Sequence, residues 1–97
     1  MPTYETVFAV PAALSEEERA QSLSDVEGMI AETGGVVSSN EEMGEKRLAY
    51  PVKKHEVAYY YLINFESPSS SIEKLTRFYR HSSDVYIRHI VVRKDGK

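Results

Sequence analysis

The side chains in this sequence that could take part in metal binding or nucleophilic catalysis are few and scattered. The three histidines, His55, His81 and His89, lie in different predicted elements and lack the spacing of metal ligands, which must converge on one ion. The chain has no cysteine, so thiolate nucleophiles, disulfides and cysteine-based metal sites are excluded. We therefore predict no metal site and no cofactor.

The acidic run at positions 16–18 does not have the arrangement of a catalytic pair. Glu16, Glu17 and Glu18 are consecutive, so on a helix their carboxylates point in different directions. The adjacent glycines at 34 and 35 follow a predicted helix, whereas a phosphate-binding loop precedes one. The sequence thus predicts no catalytic residue, and we expect a protein that is not an enzyme.

Cations and tyrosines permit, without requiring, the binding of nucleic acid, and the basic half of the chain equally suits an acidic protein. Positions 1–45 contain ten of the 15 acidic residues and one of the 12 basic residues, so positions 1–45 carry a net charge of −9 and positions 46–97 carry +6. Lysine and arginine neutralise phosphates, and tyrosine rings stack on unpaired bases. The competing interpretation is a solvated surface on which cations protect an edge strand against aggregation.

Six predicted elements position these side chains. Alternating apolar residues predict strands over 4–10, 36–52, 57–65 and 85–92, and helical spacing predicts helices over 16–33 and from about 70 to 81. Gly44 predicts a bend within the second strand. Pro51 predicts that the same strand lies at a sheet edge, because proline cannot donate a ladder hydrogen bond. The third strand is apolar on both faces, which predicts a central position.

The two helix starts share a capping signal. Ser15 with Glu18, and Ser70 with Glu73, have the spacing of a capping box, in which a serine hydroxyl and a glutamate carboxylate satisfy backbone amides of the first turn. Cations at the end of the second helix suit the negative end of its dipole. Both helices are therefore predicted to begin within a residue of these serines.

The order β-α-β-β-α-β predicts an α+β fold of the ferredoxin-like, split β-α-β type, with two helices on one face of a four-stranded antiparallel sheet. The length suits a single domain over residues 1–97. The other sheet face is left open, and its predicted residents are Val7, Tyr60, Leu62, Tyr86, Arg88 and Ile90. An uncovered apolar face flanked by cations predicts a binding surface.

A resemblance narrows what binds there. Positions 44–53 read GEKRLAYPVK, which resembles the signature of the bacterial family of small-subunit ribosomal protein number six. Tyr4-Glu5, GGVV at 34–37, Tyr59-Tyr60 and IRHIVVR at 87–93 extend the resemblance over essentially the whole chain. It implies a ferredoxin-like protein of the cytoplasmic ribosome that binds the central domain of small-subunit ribosomal RNA as a heterodimer with ribosomal protein number eighteen.

The resemblance also implies two sets of site residues. The protein partner would contact the second and third strands at Glu41, Glu42, Gly44, Arg47, Leu48, Tyr60 and Leu62. RNA contact would fall to Tyr4, Arg88, Arg93 and Lys94. We further expect a monomer when the protein is isolated, and no association with a membrane, since no apolar run approaches the roughly 20 residues that span a bilayer.

The alternative from another class is a small homodimeric enzyme, or a ligand-binding domain, that uses the open sheet face. Pairing that face with a second copy would form a cavity lined by Tyr60, Tyr86 and His89, which can donate and accept protons. The oligomeric state separates the two hypotheses, because the enzyme requires a homodimer.

Overall fold

The computed structural model describes residues 2–52 and 54–94, and its elements follow the predicted order. They are β1 (Thr3–Pro11), α1 (Glu16–Glu32), β2 (Val36–Val52), β3 (His55–Glu66), α2 (Ser70–His81) and β4 (Arg88–Arg93). The strands form one antiparallel sheet in the order β2-β3-β1-β4, which confirms the ferredoxin-like fold, the edge position of β2 and the central position of β3. Lys53, in the predicted turn, and the basic tail at 95–97 lie outside the described residues.

The core lies between the sheet and the two helices. Phe8 of β1 and Tyr61 of β3 are opposite each other, and their rings stack with centroids 5.4 Å apart. Both helices pack against this face of the sheet, α1 through Val26 and Ile30 and α2 through Leu75 and Tyr79. Within residues 2–52 and 54–94, no helix packs on the opposite face of the sheet. No helix of the described residues has the length and apolar character needed to cross a membrane.

The two helix starts differ. At α1 the capping box is confirmed, because the Glu18 amide donates to the Ser15 hydroxyl at 3.1 Å and the Ser15 amide donates to the Glu18 carboxylate at 2.9 Å. At α2 the predicted box of Ser70 and Glu73 is wrong. The cap is Ser69, in helical conformation and without a side-chain cap bond, since the chain already turns at Pro68, whose carbonyl accepts the Ser71 amide.

The second strand bends where predicted. Gly44 has φ +87°, a left-handed conformation that glycine adopts at little cost, and the pairing with β3 shifts between Glu42 and Gly44. This shift is a β-bulge, the irregularity predicted from Gly44. The hairpin then closes through Lys54, which also has a positive φ of 72°.

The last strand begins later than predicted, at Arg88 instead of Val85. Residues 82–85 form a turn, and the amides of Val85 and Tyr86 donate to the Ser82 carbonyl. The chain joins the sheet only where the Ile87 amide donates to the Ala9 carbonyl at 2.9 Å. The turn directs Tyr86 into the core and not onto the open face, so the prediction for Tyr86 was wrong.

Candidate functional site

The uncovered sheet face carries apolar side chains from three strands. Residues directly opposite each other in a sheet share a face, and the pairs Val7 with Leu62 and Val7 with Ile90 place these three side chains together on the side away from the helices. Ile90 is 57% exposed and Val92, two residues along the same strand, is 48% exposed. An apolar surface that is exposed in the monomer is a candidate interface. We call this surface the open face.

The hairpin between β2 and β3 covers one end of the open face. Leu48 is buried there in a small cluster with Ala9, Ala58 and Ile87, with Tyr60 packed against it. Beyond Leu48 the hairpin presents Tyr50, which is 74% exposed. An open groove of about 660 Å³ results, and its lining residues include Val7, Tyr50, Tyr60, Ile87, Arg88 and Ile90.

Of the predicted partner-binding residues, five are brought together at the open face. Glu41 is opposite Leu62 and Gly44 is opposite Tyr60, so these four positions share the face. The fifth is Leu48, in the cluster just described. The open face thus combines an apolar centre with a carboxylate at the β2 edge.

The other two predicted partner-binding residues, Glu42 and Arg47, lie on the opposite side of the sheet. Glu42 is opposite Tyr61 and accepts a hydrogen bond from the Tyr59 hydroxyl at 2.9 Å. This bond to a carboxylate raises the pKa of Tyr59. Arg47 is opposite Val57 and pairs with the exposed Glu56 at 3.4 Å. The open face therefore does not include them.

Tyr4, predicted to contact RNA, lies in the hydrophobic core. Its ring stacks on Phe65 with centroids 5.6 Å apart, and the residue is 5% exposed. The alternation of β1 accounts for this placement, because Tyr4 is on the same side of the strand as Phe8. Stacking of the Tyr4 ring on a base is incompatible with this position.

The three predicted cations do not share one surface. Arg88, opposite Ala9, lines the groove of the open face. Lys94 is near the same face, where its Nζ is 3.0 Å from a carboxylate oxygen of Glu5. Arg93 is opposite Tyr4 and so projects toward the helix side of β4. Arg88 and Lys94 are about 20 Å apart along the strand direction, at 3.3 Å per residue.

The residues of the alternative enzyme site are separated by the sheet. Tyr60 and His89 both line the groove of the open face, but the His89 ring stacks on Tyr79 on the helix side with centroids 4.7 Å apart. Tyr86 is buried in the core. Burial raises the pKa of Tyr79 and the pKa of Tyr86, and the Asp25 carboxylate adds to the rise at Tyr86. The predicted cavity of Tyr60, Tyr86 and His89 therefore does not form. Among residues 2–52 and 54–94 no cluster of ligating side chains could hold a metal.

Sequence reasoning missed Tyr50 and Ile87 as parts of the site. Tyr50 was within the GEKRLAYPVK segment and alternates with Leu48, a spacing that signals a shared side of the hairpin. Ile87 begins the IRHIVVR segment, but its place in the site depends on where β4 joins β1, which the segment alone does not show.

Comparison with known proteins decides the family. The family model described as ribosomal protein S6 matches residues 3–93. The chain belongs to the ribosomal protein S6 family. This S6-family chain is 36% identical over 95 residues to small ribosomal subunit protein bS6 of Caldanaerobacter subterraneus subsp. tengcongensis, covering 98% of the chain and 99% of that protein. It is 35% identical over 97 residues to bS6 of Nitratiruptor sp., covering 100% of the chain and 75% of that protein.

A solved S6 structure has the same architecture. The crystal structure of 30S ribosomal protein S6 from Thermotoga maritima superposes with a TM-score of 0.89 at 30% identity, covering 96% of this chain and 87% of that one. This S6-family protein is a structural component of the small ribosomal subunit, which places it at ribosomes in the cytoplasm. The resemblance seen in the sequence is thereby confirmed.

Proposed function

We propose that this S6-family protein binds the central domain of small-subunit ribosomal RNA as a heterodimer with ribosomal protein number eighteen, and that it performs no catalysis. The observation that carries the proposal is the open face, an exposed apolar surface with Arg88 at its groove. Such a surface has no role in an isolated monomer, and it suits a protein partner at its centre and a phosphate at its cationic margin.

Contact with the protein partner is assigned to the apolar centre of the open face. Burying Leu62, Tyr60 and Ile90 contributes about 25 cal/mol per Å² of apolar area, from which the entropic cost of association is subtracted. Glu41, opposite Leu62, supplies a negative charge at the β2 edge. This charge favours a basic partner, as expected of a protein that itself binds RNA.

Contact with RNA is assigned to Arg88 and Lys94. The Lys94 and Glu5 side chains are 48% and 24% exposed, and an ion pair so open to solvent is worth about 0–1 kcal/mol. A phosphate can therefore replace Glu5 as the partner of Lys94. Binding through such contacts releases counterions, so the RNA affinity is expected to fall steeply with salt.

The proposal is tested by size-exclusion chromatography with light scattering of the purified chain, alone, with ribosomal protein number eighteen, and then with central-domain RNA. We expect a monomer, a one-to-one heterodimer and a salt-sensitive ternary complex. A stable homodimer that ignores both the protein and the RNA would contradict the proposal and revive the ligand-binding alternative.

Two substitutions separate the protein contact from the RNA contact. Leu62→Asp places a charge in the apolar centre and should abolish the heterodimer first. Arg88→Ala should leave the heterodimer intact, weaken RNA binding and reduce the slope of log affinity against log salt by about 1. Arg88→Lys, which keeps the charge, should retain the slope. An intact heterodimer in the first variant, or an unchanged slope in the second, contradicts the corresponding assignment.

A further inference from the structure

A second cationic surface lies on the helix layer, on the other side of the sheet from the open face. The exposed side of α2 carries Lys74, Arg77, Arg80 and His81, whereas its opposite side buries Leu75 and Tyr79 in the core. From 74 to 81 the row extends about 10 Å along the helix, at 1.5 Å per residue. We call this set the α2 row.

Helix stability does not account for the whole α2 row. A cation in the last turn interacts favourably with the negative end of the helix dipole, which accounts for Arg80. Lys74 and Arg77 precede that turn, and the dipole effect falls off within one turn. The helix dipole therefore does not account for the charges of Lys74 and Arg77.

Neighbouring acids neutralise the α2 row only weakly. Arg77 is 3.7 Å from Glu73, with side chains that are 63% and 82% exposed, and such a pair contributes little. Within the described ranges no ion pair involves Lys74 or Arg80, and none joins α2 to the acidic helix α1. The row thus retains a positive field at the surface.

A cleft beside the α2 row offers apolar surface next to the cations. It has a volume of about 430 Å³ between the carboxyl halves of α1 and α2, with Met29 and Phe78 as apolar residues of its lining. Lys74 and Arg77 line its α2 side and Glu32 its α1 side. An apolar surface beside cations suits a nucleotide, whose base or sugar packs on the former while its phosphate contacts the latter.

We propose that the α2 row and this cleft form a second RNA-binding surface, in which Lys74 and Arg77 contact phosphates of the same ribosomal RNA. The inference rests on the proposed function, because RNA is the ligand in both. The sheet separates the α2 row from Arg88, so one molecule can contact RNA on both sides at once. The α2 row then adds to RNA affinity without touching the protein partner on the open face.

The test uses the heterodimer with ribosomal protein number eighteen and titrates central-domain RNA at several salt concentrations. The variant Lys74→Ala/Arg77→Ala removes two exposed cations. We expect weaker binding and a salt slope reduced by about 1 for each cation removed, with no change in heterodimer formation. Glu32→Gln removes the carboxylate of the cleft and should strengthen RNA binding.

A charge-matched control is Ala20→Glu/Ser24→Glu, at exposed positions of α1, which changes the net charge by the same amount without touching the cleft. Its RNA binding should remain closer to wild type. An equal loss of RNA affinity in this control would show that the effect comes from overall charge, and it would overturn the inference. So would an unchanged slope in the cation variant.

The two proposals fail in different ways. If the wild-type heterodimer does not bind the RNA, the proposed function and this inference fail together. If it binds, and Arg88→Ala flattens the salt slope while Lys74→Ala/Arg77→Ala does not, only the second surface is refuted. Circular dichroism of each variant establishes that the fold is intact before the titration.

Discussion

The hydroxyl groups of Tyr79 and Tyr86 lie inside the core, and each has a partner. Tyr79 shares a hydrogen bond of 2.8 Å with the Thr6 hydroxyl, and Tyr86 donates to the Ser22 carbonyl at 2.8 Å. Across the described residues no buried polar side-chain atom lacks a hydrogen-bond partner. At the residue scale, these tyrosines therefore stabilise the fold and are not available to a ligand, in contrast to Tyr50 on the hairpin.

The pH dependence of stability is expected to include a term from His89. Burial, and then the nearby Arg80 guanidinium, lower the pKa of His89 in the folded protein. The unfolded state, with a histidine pKa of about 6.5, then binds more protons, so the free energy of unfolding falls as the pH drops below about 6.5. Urea unfolding at a series of pH values should show a smaller decrease in the free energy of unfolding at low pH for His89→Phe. This variant keeps the stacking on Tyr79.

Arg80→Gln provides the matched variant. Removing the guanidinium leaves burial as the cause of the lowered pKa, so the slope should be intermediate between those of the wild type and His89→Phe. If His89→Phe unfolds with the same pH dependence as the wild type, folding does not lower the pKa of His89 and the prediction is wrong.

At the element scale, the end of α1 depends on how closely the chain passes β3. A Cβ built at Gly35 would lie 2.8 Å from Ile30 Cγ2 and 2.9 Å from the Glu66 carbonyl oxygen. Gly28, on the exposed side of the same helix, has no atom within 4 Å of a built Cβ. The absence of a side chain is therefore required for close packing at Gly35 and is not required at Gly28.

We expect opposite effects from the same substitution at the two glycines. Gly35→Ala should destabilise by about 1–3 kcal/mol because a backbone oxygen must shift. Gly28→Ala should stabilise by about 0.5–1 kcal/mol through helix propensity and the reduced entropy of the unfolded chain. The free energies of unfolding in urea measure both, and a neutral Gly35→Ala would refute the close approach.

At the scale of the whole molecule, the sheet separates two surfaces of different character. The open face is apolar with Arg88 and Glu41 at its margins, and the helix layer places the acidic α1 beside the basic α2. A total charge of −3 hides this distribution. The protein is therefore suited to contact a second protein and RNA at the same time, with electrostatics that differ from side to side.

The open face should matter for association and little for folding. Ile90→Thr keeps a β-branched residue in β4 but removes exposed apolar area, so the free energy of unfolding should change by less than about 0.5 kcal/mol. Affinity for ribosomal protein number eighteen should fall by about 1 kcal/mol, roughly fivefold in Kd. Ile90→Val should retain most of the affinity. A loss of stability with unchanged affinity would contradict the assignment of the open face.

Local patterns in the sequence were enough to predict the element order, the capping box at Ser15, the bulge at Gly44 and the edge position of β2. Each depends on residues close in the chain, through backbone conformation or hydrogen bonds within one turn. The family was likewise readable from a contiguous segment, GEKRLAYPVK at 44–53.

Tertiary structure alone decided which side chains meet. Alternation along a strand is local, but the register between strands decides which residues face each other across the sheet. The turn before β4 directed Tyr86 into the core, and the register with β3 placed Glu41 opposite Leu62. These outcomes rest on contacts between distant residues, such as the Ile87 amide with the Ala9 carbonyl, which no local pattern encodes. The sequence by itself therefore determined the elements and the family, and long-range pairing determined the site.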